Sequence, residues 1–586
     1  MRQWMVAAKK ADFYAIAEKF HVDPVVARII RNREVIGEKN IRIYLGGNLS
    51  DLSDPHQMKD MDRLVEILAQ KIRKQAHIRI IGDYDVDGVT SSHLFLTALR
   101  RVGAKVDVVI PHRIQDGYGL SLHLLQQAKE DGVDTILTCD NGIAAIDEIA
   151  WAKAQKMTVL VTDHHAVPFE EHEGRRTEKK SLADAVVNPH QQDCGYPYKE
   201  LCGAGVAWNV IRVLYENYDM DKREAEDLLD FVAMATVCDV MSLTGENRIL
   251  VKEGLKRIRH TKNIGLQALM QACNVQPENI SAYHFGYVLG PCVNATGRLD
   301  TARHALRLFE TGQETEAEEI ARDLVDLNQE RKELTLQGVE MAKKLCEEGG
   351  YEKDPVLVLF LPDVHESIAG LIAGRIREMY NRPVFVLTRG EEGVKGSGRS
   401  TENYSMYENM CGCAELFTKF GGHPMAAGLS LPEENVEKFR RKINENCPLT
   451  VEEVCPDIHI DMAMPVGYAS TELVHQFALL EPFGKDNPSP LFADRNLSIS
   501  RMWVIGKNRN VLRMSVLSEY GQPVPVIFFG DVETLFAYFT EKFGQKEVEN
   551  ALHGRKNRIL FSMVYTAKID FYQGNENLQL EMKYYR

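Results

Sequence analysis

An apolar run, Ile78 to Ile81, leads directly into Gly82-Asp83-Tyr84-Asp85-Val86-Asp87-Gly88, and no other feature constrains the chain as much. Three carboxylates within five residues repel one another by roughly 1 kcal/mol or more per close pair at a surface dielectric. A fold that gathers them at the end of a strand must bring something positive among them. The acidic stretch reads as an extended loop, with a helix beginning near Val89. Alternation along that loop would turn the three carboxylates to one side, an oxygen set suited to a hard divalent cation. Taken alone, the same residues read equally well as a turn of Asp and Gly that caps a helix.

The pattern recurs. From Ile78 to about Pro189 the runs IRII, VDVVIP, TILT, MTVLVT and ADAVV alternate with helical stretches, which predicts a parallel α/β sheet. TILT leads to Asp140, and VLVT leads to Asp163, His164 and His165. Functional groups in such sheets gather at the carboxyl ends of the strands. A histidine pair is more often a surface pair or a satisfied core pair; beside four edge carboxylates the ligand reading is preferred. Asp239 lies in FVAMATVCDVM, an apolar segment expected to be buried, where a carboxylate needs either a metal or a Lys or Arg partner.

At 586 residues the chain is too long for one core and divides into several domains. The divisions expected are an N-terminal helical segment (1–54), an α/β domain with a helical part (55–312), a connector helix (313–349), a second, smaller α/β domain (350–450) and a β-rich domain (455–586). The connector is free of Pro and poor in Gly from Glu314 to Glu348. As one helix it would reach about 50 Å; the alternative is a break into two core helices. The tail reads as short alternating strands of a small barrel or sandwich. The N-terminus lacks the apolar core of a signal peptide and the longest apolar runs are too short to span a bilayer, so a cytoplasmic protein with no membrane partner is expected. Eleven cysteines without a CxxC pair read as reduced thiols.

The motifs DYDVDG, CDNG, DHH and ATVCD, in this order, resemble those of the DHH phosphoesterase superfamily, metal-dependent hydrolases of phosphodiester and phosphoanhydride bonds. VLGPCVNATGRLDTA, FGGHPMAAG and LEPFGKDNPSPLF resemble the RecJ family of single-strand-specific exonucleases. FGGHPMAAG is also similar to the DHHA1 domain that accompanies many DHH proteins. The resemblance implies a parallel-sheet DHH lobe, a long connecting helix, a DHHA1 lobe and an oligonucleotide-binding (OB) barrel. It also implies Mn²⁺ or Mg²⁺, two ions in all, and a 5′ to 3′ exonuclease that degrades single-stranded DNA to mononucleotides in repair and recombination. Single-strand-binding protein and a helicase are the protein partners it implies.

On that reading Asp83, Asp85, Asp87, Asp140, Asp239 and His164 hold the cations, with Asp85 and Asp87 favoured over Asp83 by similarity to the family's shorter motif. Imidazole among carboxylates shifts preference from Mg²⁺ toward Mn²⁺. Asp163 would orient a histidine, and His165 would contact the scissile phosphate or complete the metal site. Arg298 and Asn294 become candidates for holding the scissile phosphate, Arg113 for a contact near the 5′ end, and Ser397 and Arg399 for a pocket around the terminal 5′ phosphate. Taken singly, each arginine is more often a surface ion pair. His423 either joins the cleft or satisfies its turn.

The net charge of −14 argues against a nucleic-acid partner only as an average. Residues 501–586 carry 12 Lys and Arg against 9 Asp and Glu, leaving +3, while the preceding 500 residues carry −17. The tail's aromatic residues, Trp503, Phe528 and Phe529 among them, suit either base stacking or a barrel core. Two competing readings remain: a DHH–DHHA1 phosphodiesterase of short oligonucleotides or cyclic dinucleotides, and a catalytically silent, DNA-binding relative. The first lacks a use for the β-rich tail; the second fits poorly with an intact acidic set.

Overall fold

A computed structural model describes residues 3–586 except 114–115, 117–118, 173–174, 352, 391–392, 507–509 and 573. The chain forms two compact units. One comprises residues 48–456; the other combines residues 3–47 with residues 457–586.

The first unit is built on β1 (His77–Ile81), β2 (Lys105–Val109), β3 (Thr135–Cys139), β4 (Thr158–Thr162) and β5 (Ala185–Val187). They form one parallel sheet in the order β2-β1-β3-β4-β5. Ile80, Leu137, Val159 and Val161 are fully buried, as expected for apolar runs covered by helices on both faces. Helix α1 (Val86–Arg101) follows β1, and α2 (Gly203–Asn217) and α3 (Leu229–Cys238) belong to the helical layer behind the sheet. The start of α1 corrects the sequence reading, which placed it near Val89. Asp85 is its N-cap, its carboxylate accepting from Gly88 N–H at 3.0 Å. The capping alternative and the acidic cluster are therefore both real, and Asp87 lies in the first helical turn rather than in an extended loop.

Beyond α4 (Ile264–Ala272) and α5 (Gly290–Leu299), the connector is one uninterrupted helix, α6 (Glu314–Glu348), of 35 residues. It leads into a second sheet of β6 (Leu357–Phe360), β7 (Val384–Gly390), β8 (Gly393–Arg399), β9 (Lys419–His423) and β10 (Ala426–Leu431), in the order β9-β10-β8-β7-β6. Only β6 and β7 pair in parallel, joined through α7 (Ala369–Tyr380).

In the second unit, strands Phe492–Ile505, Val511–Leu517, Pro523–Phe529, Leu560–Tyr572 and Asn575–Tyr585 pair in the order first, second, third, fifth, fourth, and the fourth closes back onto the first. This is a five-stranded barrel, and closure removes its free edges. Helices Val532–Phe543 and Gln545–Leu552 fill the connection between its third and fourth strands. The N-terminal helices Phe13–Phe20, Pro24–Asn32 and Glu38–Gly46 do not stand apart: Val26, Ile29, Ile30 and Tyr44 share one buried core with Phe492, Phe539 and Phe561. Trp4–Val6 pairs in parallel with Ile458–Ile460. Among the described residues no helix is long and apolar enough to cross a membrane.

Candidate metal centre and phosphate cleft

Four strand or helix ends converge. Asp83 leaves β1, Asp140 leaves β3, Asp163 to His165 leave β4, and Asp239 caps the C-terminus of α3. Asp140 adopts φ 62°, a left-handed conformation that Asp tolerates better than most residues. Gly203 and Gly297 let the flanking helices approach: a β-carbon on Gly203 would stand 2.6 Å from Asp140 Cβ, and one on Gly297 2.4 Å from the Tyr84 carbonyl oxygen.

The ligand atoms of Asp83, Asp85 and Asp140 lie within 4.8 Å of one another, as do those of Asp87, His164 and Asp239, and those of Asp140, His164 and His165. His164 Nε2 is 3.1 Å from Asp140 Oδ1, 3.6 Å from Asp239 Oδ2 and 3.7 Å from Asp87 Oδ2. Every residue named from the sequence as a metal ligand is thus in one cluster. Asp239 is half-buried at its helix end, so the cost of burying it is smaller than its apolar neighbours suggest.

Burial, reinforced by Asp85, pushes the Asp83 carboxyl well up; burial and Asp87 raise Asp85; and burial with the charges of Asp87 and Asp85 raises Asp140. The set is short of positive charge. Asp83 Oδ1 is buried without a hydrogen-bond partner among the described residues. Such an oxygen-rich set with one imidazole fits Mn²⁺ or Mg²⁺. Asp87 has further support, its two oxygens accepting from the Gly203 and Ala204 N–H groups at 2.6 and 2.7 Å, the first turn of α2 and the positive end of its dipole.

Asp163 faces the other way. It accepts from the backbone N–H groups of Ile143, His164 and His165, and from His165 Nδ1 at 2.8 Å. Burial pushes its carboxyl up, but the His165 bond and both histidine charges outweigh this and hold it low. Burial pulls His165 down, yet the Asp163 bond and the surrounding carboxylates push it up to about 9.

A cavity of about 520 Å³ opens between the parallel-sheet lobe and the second sheet, lined by Arg113 and Ser397 together with Tyr84, Ser367, Lys395 and Lys419. The last four escaped sequence reasoning; the segment HESIAG, a helix start after a strand, was the available signal for Ser367. Arg113 stacks over the Tyr84 ring at 4.8 Å. Arg298 spans the lobes, its Nη1 donating to the Ser367 carbonyl at 2.6 Å. Burial and the charges of Arg113, Arg331 and Arg399 push Arg298 down to about 10, and burial with Arg113 lowers Arg399. Crowded cations of this kind suit an anion. Arg399 and Ser397 meet the start of α7: a β-carbon on Gly370 would be 2.9 Å from Arg399 Nη2 and 3.0 Å from Ser397 Oγ. Asn294 Oδ1 accepts from Val86 N–H at 3.2 Å. His423 ends β9 exposed and does not line the cavity.

Residues 77–236 match the model of the DHH family, N-terminal domain, residues 353–447 the DHHA1 domain, and residues 460–584 the RecJ OB domain. Over 582 residues the chain is 32% identical to the single-stranded-DNA-specific exonuclease RecJ of Haemophilus influenzae, covering 96% of each. The chain belongs to the RecJ family. The RecJ of Bacillus subtilis is 33% identical over 512 residues, 87% of this chain and 63% of that protein. Among solved structures, RecJ of Thermus thermophilus in complex with Mn²⁺ superposes with a TM-score of 0.81 at 25% identity, covering 100% of this chain and 79% of that one. An exonuclease RecJ bound to manganese gives 0.57 at 31% identity, covering 67% of this chain and 96% of that one. The RecJ fold accounts for both sheets, the connector and the barrel.

Proposed function

We propose that the chain is a metal-dependent exonuclease that degrades single-stranded DNA from its 5′ end. The observation that carries this reading is that Tyr84, between Asp83 and Asp85 of the acidic, cation-demanding cluster, lines a cavity whose walls also carry Arg113, Lys395 and Lys419. Asp83, Asp85, Asp87, Asp140, His164 and Asp239 would hold Mn²⁺ or Mg²⁺, two ions in this reading. Ions held there would activate water and neutralise charge developing on the phosphate.

The protein's own groups do the rest. Asp163 fixes the ring of His165 through Nδ1 and favours its cationic form, which would meet the scissile phosphate. Arg298 and Asn294 Nδ2 grip that phosphate. Arg113, Ser397, Arg399 and the first turn of α7 receive the terminal 5′ phosphate, since helix N-termini favour anions. A cavity of about 520 Å³ lined by Tyr84 has room for one nucleotide, which supports release of mononucleotides. Single-strand-binding protein and a helicase, which would present single strands, are proposed as partners on resemblance.

The test is hydrolysis of long single strands carrying a labelled 5′ phosphate, with Mn²⁺ and with chelator. The expected result is metal-dependent release of labelled mononucleotide, slower from a 5′-hydroxyl end and absent from a blunt duplex. Faster turnover of a dinucleotide than of the long strand would instead identify a short-oligonucleotide phosphodiesterase, and binding without cleavage a silent relative.

A further inference from the structure

Two cysteines that this chemistry does not use face each other behind the phosphate-gripping helix. Cys273 directly follows α4, and Cys292 lies in the first turns of α5, two residues before Asn294 and six before Arg298. Their sulfurs are 3.8 Å apart. Cys292 is buried; its S–H donates to the Val288 carbonyl and its sulfur accepts from Asn328 Nδ2 of the connector, both at 3.3 Å. Cys273 is half-buried, so one sulfur is reachable and the other waits behind it. The Cys273 sulfur, nearer the surface, is the one that peroxide meets first, and its thiolate is the nucleophilic form.

We propose that Cys273 and Cys292 are a redox modification site that closes to a disulfide under hydrogen peroxide and thereby slows the nuclease, a consequence that rests on the function proposed above. The Cys273 thiolate attacks a peroxide oxygen; the O–O bond breaks, hydroxide leaves and takes up the thiol proton as water, and Cys273 becomes a sulfenic acid. Cys292 then attacks that sulfur; the S–O bond breaks, a second water leaves, and the S–S bond forms. Two electrons pass from the two thiols to one peroxide. The sulfurs must close from 3.8 Å to about 2.05 Å, and Cys292 loses the hydrogen it donates to Val288. The backbone that holds Cys292 is the helix carrying Asn294 and Arg298, so closure draws on that helix. A displacement on the order of 1 Å in such groups lowers a rate by about a hundred-fold.

The full chain, stripped of metal, is treated with equimolar hydrogen peroxide, its remaining thiols alkylated, and one part digested for non-reducing peptide mass spectrometry while the other is assayed with Mn²⁺ on single-stranded DNA. The expected result is a peptide pair joined through Cys273 and Cys292, lighter by two hydrogens than the free peptides, with a rate about ten-fold lower or more, both reversed by dithiothreitol. Cys273→Ser, at a half-exposed position, keeps its rate through the same treatment. Absence of the joined pair overturns the site; a joined pair without a change in rate, or an equal loss in Cys273→Ser, overturns its control of the nuclease. A preparation inactive before oxidation refutes the function instead, while the peptide map still decides whether the dithiol closes.

Discussion

At the scale of single residues, position at a strand end separates the groups that were legible from those that were not. Asp83, Asp140 and Asp163 follow apolar strands, so their placement at one sheet edge is a local property of sequence. Tyr84, Ser367, Lys395 and Lys419 share a wall only because two lobes face each other, and no spacing along the chain encodes that. Arg298 carries the sharpest prediction. Its guanidinium is tied to Ser367 across the lobes and surrounded by other arginines, a role that the single point charge of Lys does not fill. Arg298→Lys is expected to lower kcat/KM on single-stranded DNA by about a hundred-fold while leaving Mn²⁺ binding by calorimetry intact. A loss of Mn²⁺ binding would instead make Arg298 a structural prop of the acidic cluster. A second prediction concerns Asp230, which is buried and accepts from Thr261 Oγ1 at 2.7 Å. Burial pushes its carboxyl up to about 6. The folded state therefore holds this proton after the unfolded chain has lost it, so the contribution to stability falls as pH rises from about 4 to about 6 and stays low above. Asp230→Asn removes that penalty, on the order of 2 to 3 kcal/mol, and urea unfolding of variant and parent should diverge across this window with the variant the more stable at pH 7.

Whole elements were read best where their signal is continuous. The absence of Pro and scarcity of Gly from Glu314 to Glu348 suffice for an unbroken helix, and the runs of Val and Ile suffice for the parallel strands. Element starts were read less well. The capping bond from Asp85 to Gly88 N–H moves the beginning of α1 to Val86, a choice set by one side chain rather than by periodicity. Helix α2 shows what such starts accomplish: its first two N–H groups hold both oxygens of Asp87, and the lack of a side chain at Gly203 brings them close enough. Gly203→Ala would push a methyl group to 2.6 Å from Asp140 Cβ. The helix must then retreat from both carboxylates, at a cost of about 1 to 3 kcal/mol. A thermal melt without metal should show this loss, and Mn²⁺ titration should show weaker affinity in the same variant; unchanged affinity would mean that α2 does not position the acidic cluster.

For the molecule as a whole, part of the −14 lies in carboxylates gathered where a cation could sit, and acidity placed there is compatible with a nucleic-acid substrate. The organisation least visible in sequence is the pairing of the chain's two ends into one unit. Residues 3–47 carry ordinary amphipathic helices whose apolar faces say nothing of their partner, and that partner lies more than 400 positions away. Arg33 fastens the two. Its guanidinium makes a bidentate pair with Asp461 at 2.7 and 3.1 Å and a further bond to the Pro488 carbonyl, and both charged side chains are nearly excluded from water. Arg33→Ala leaves the Asp461 carboxylate buried without its counter-charge, a loss of about 3 to 5 kcal/mol. Because the pair lies wholly within the unit of residues 3–47 and 457–586, the loss should be confined there. Hydrogen exchange followed by mass spectrometry is expected to show faster exchange in Pro24–Asn32, Ile458–Ile460 and the barrel strands, with residues 77–236 unchanged. Equal acceleration in the parallel sheet would mean that the two units unfold as one, and exchange unchanged everywhere would mean that the apolar core of Val26, Ile29 and Tyr44 holds the ends together without the ion pair.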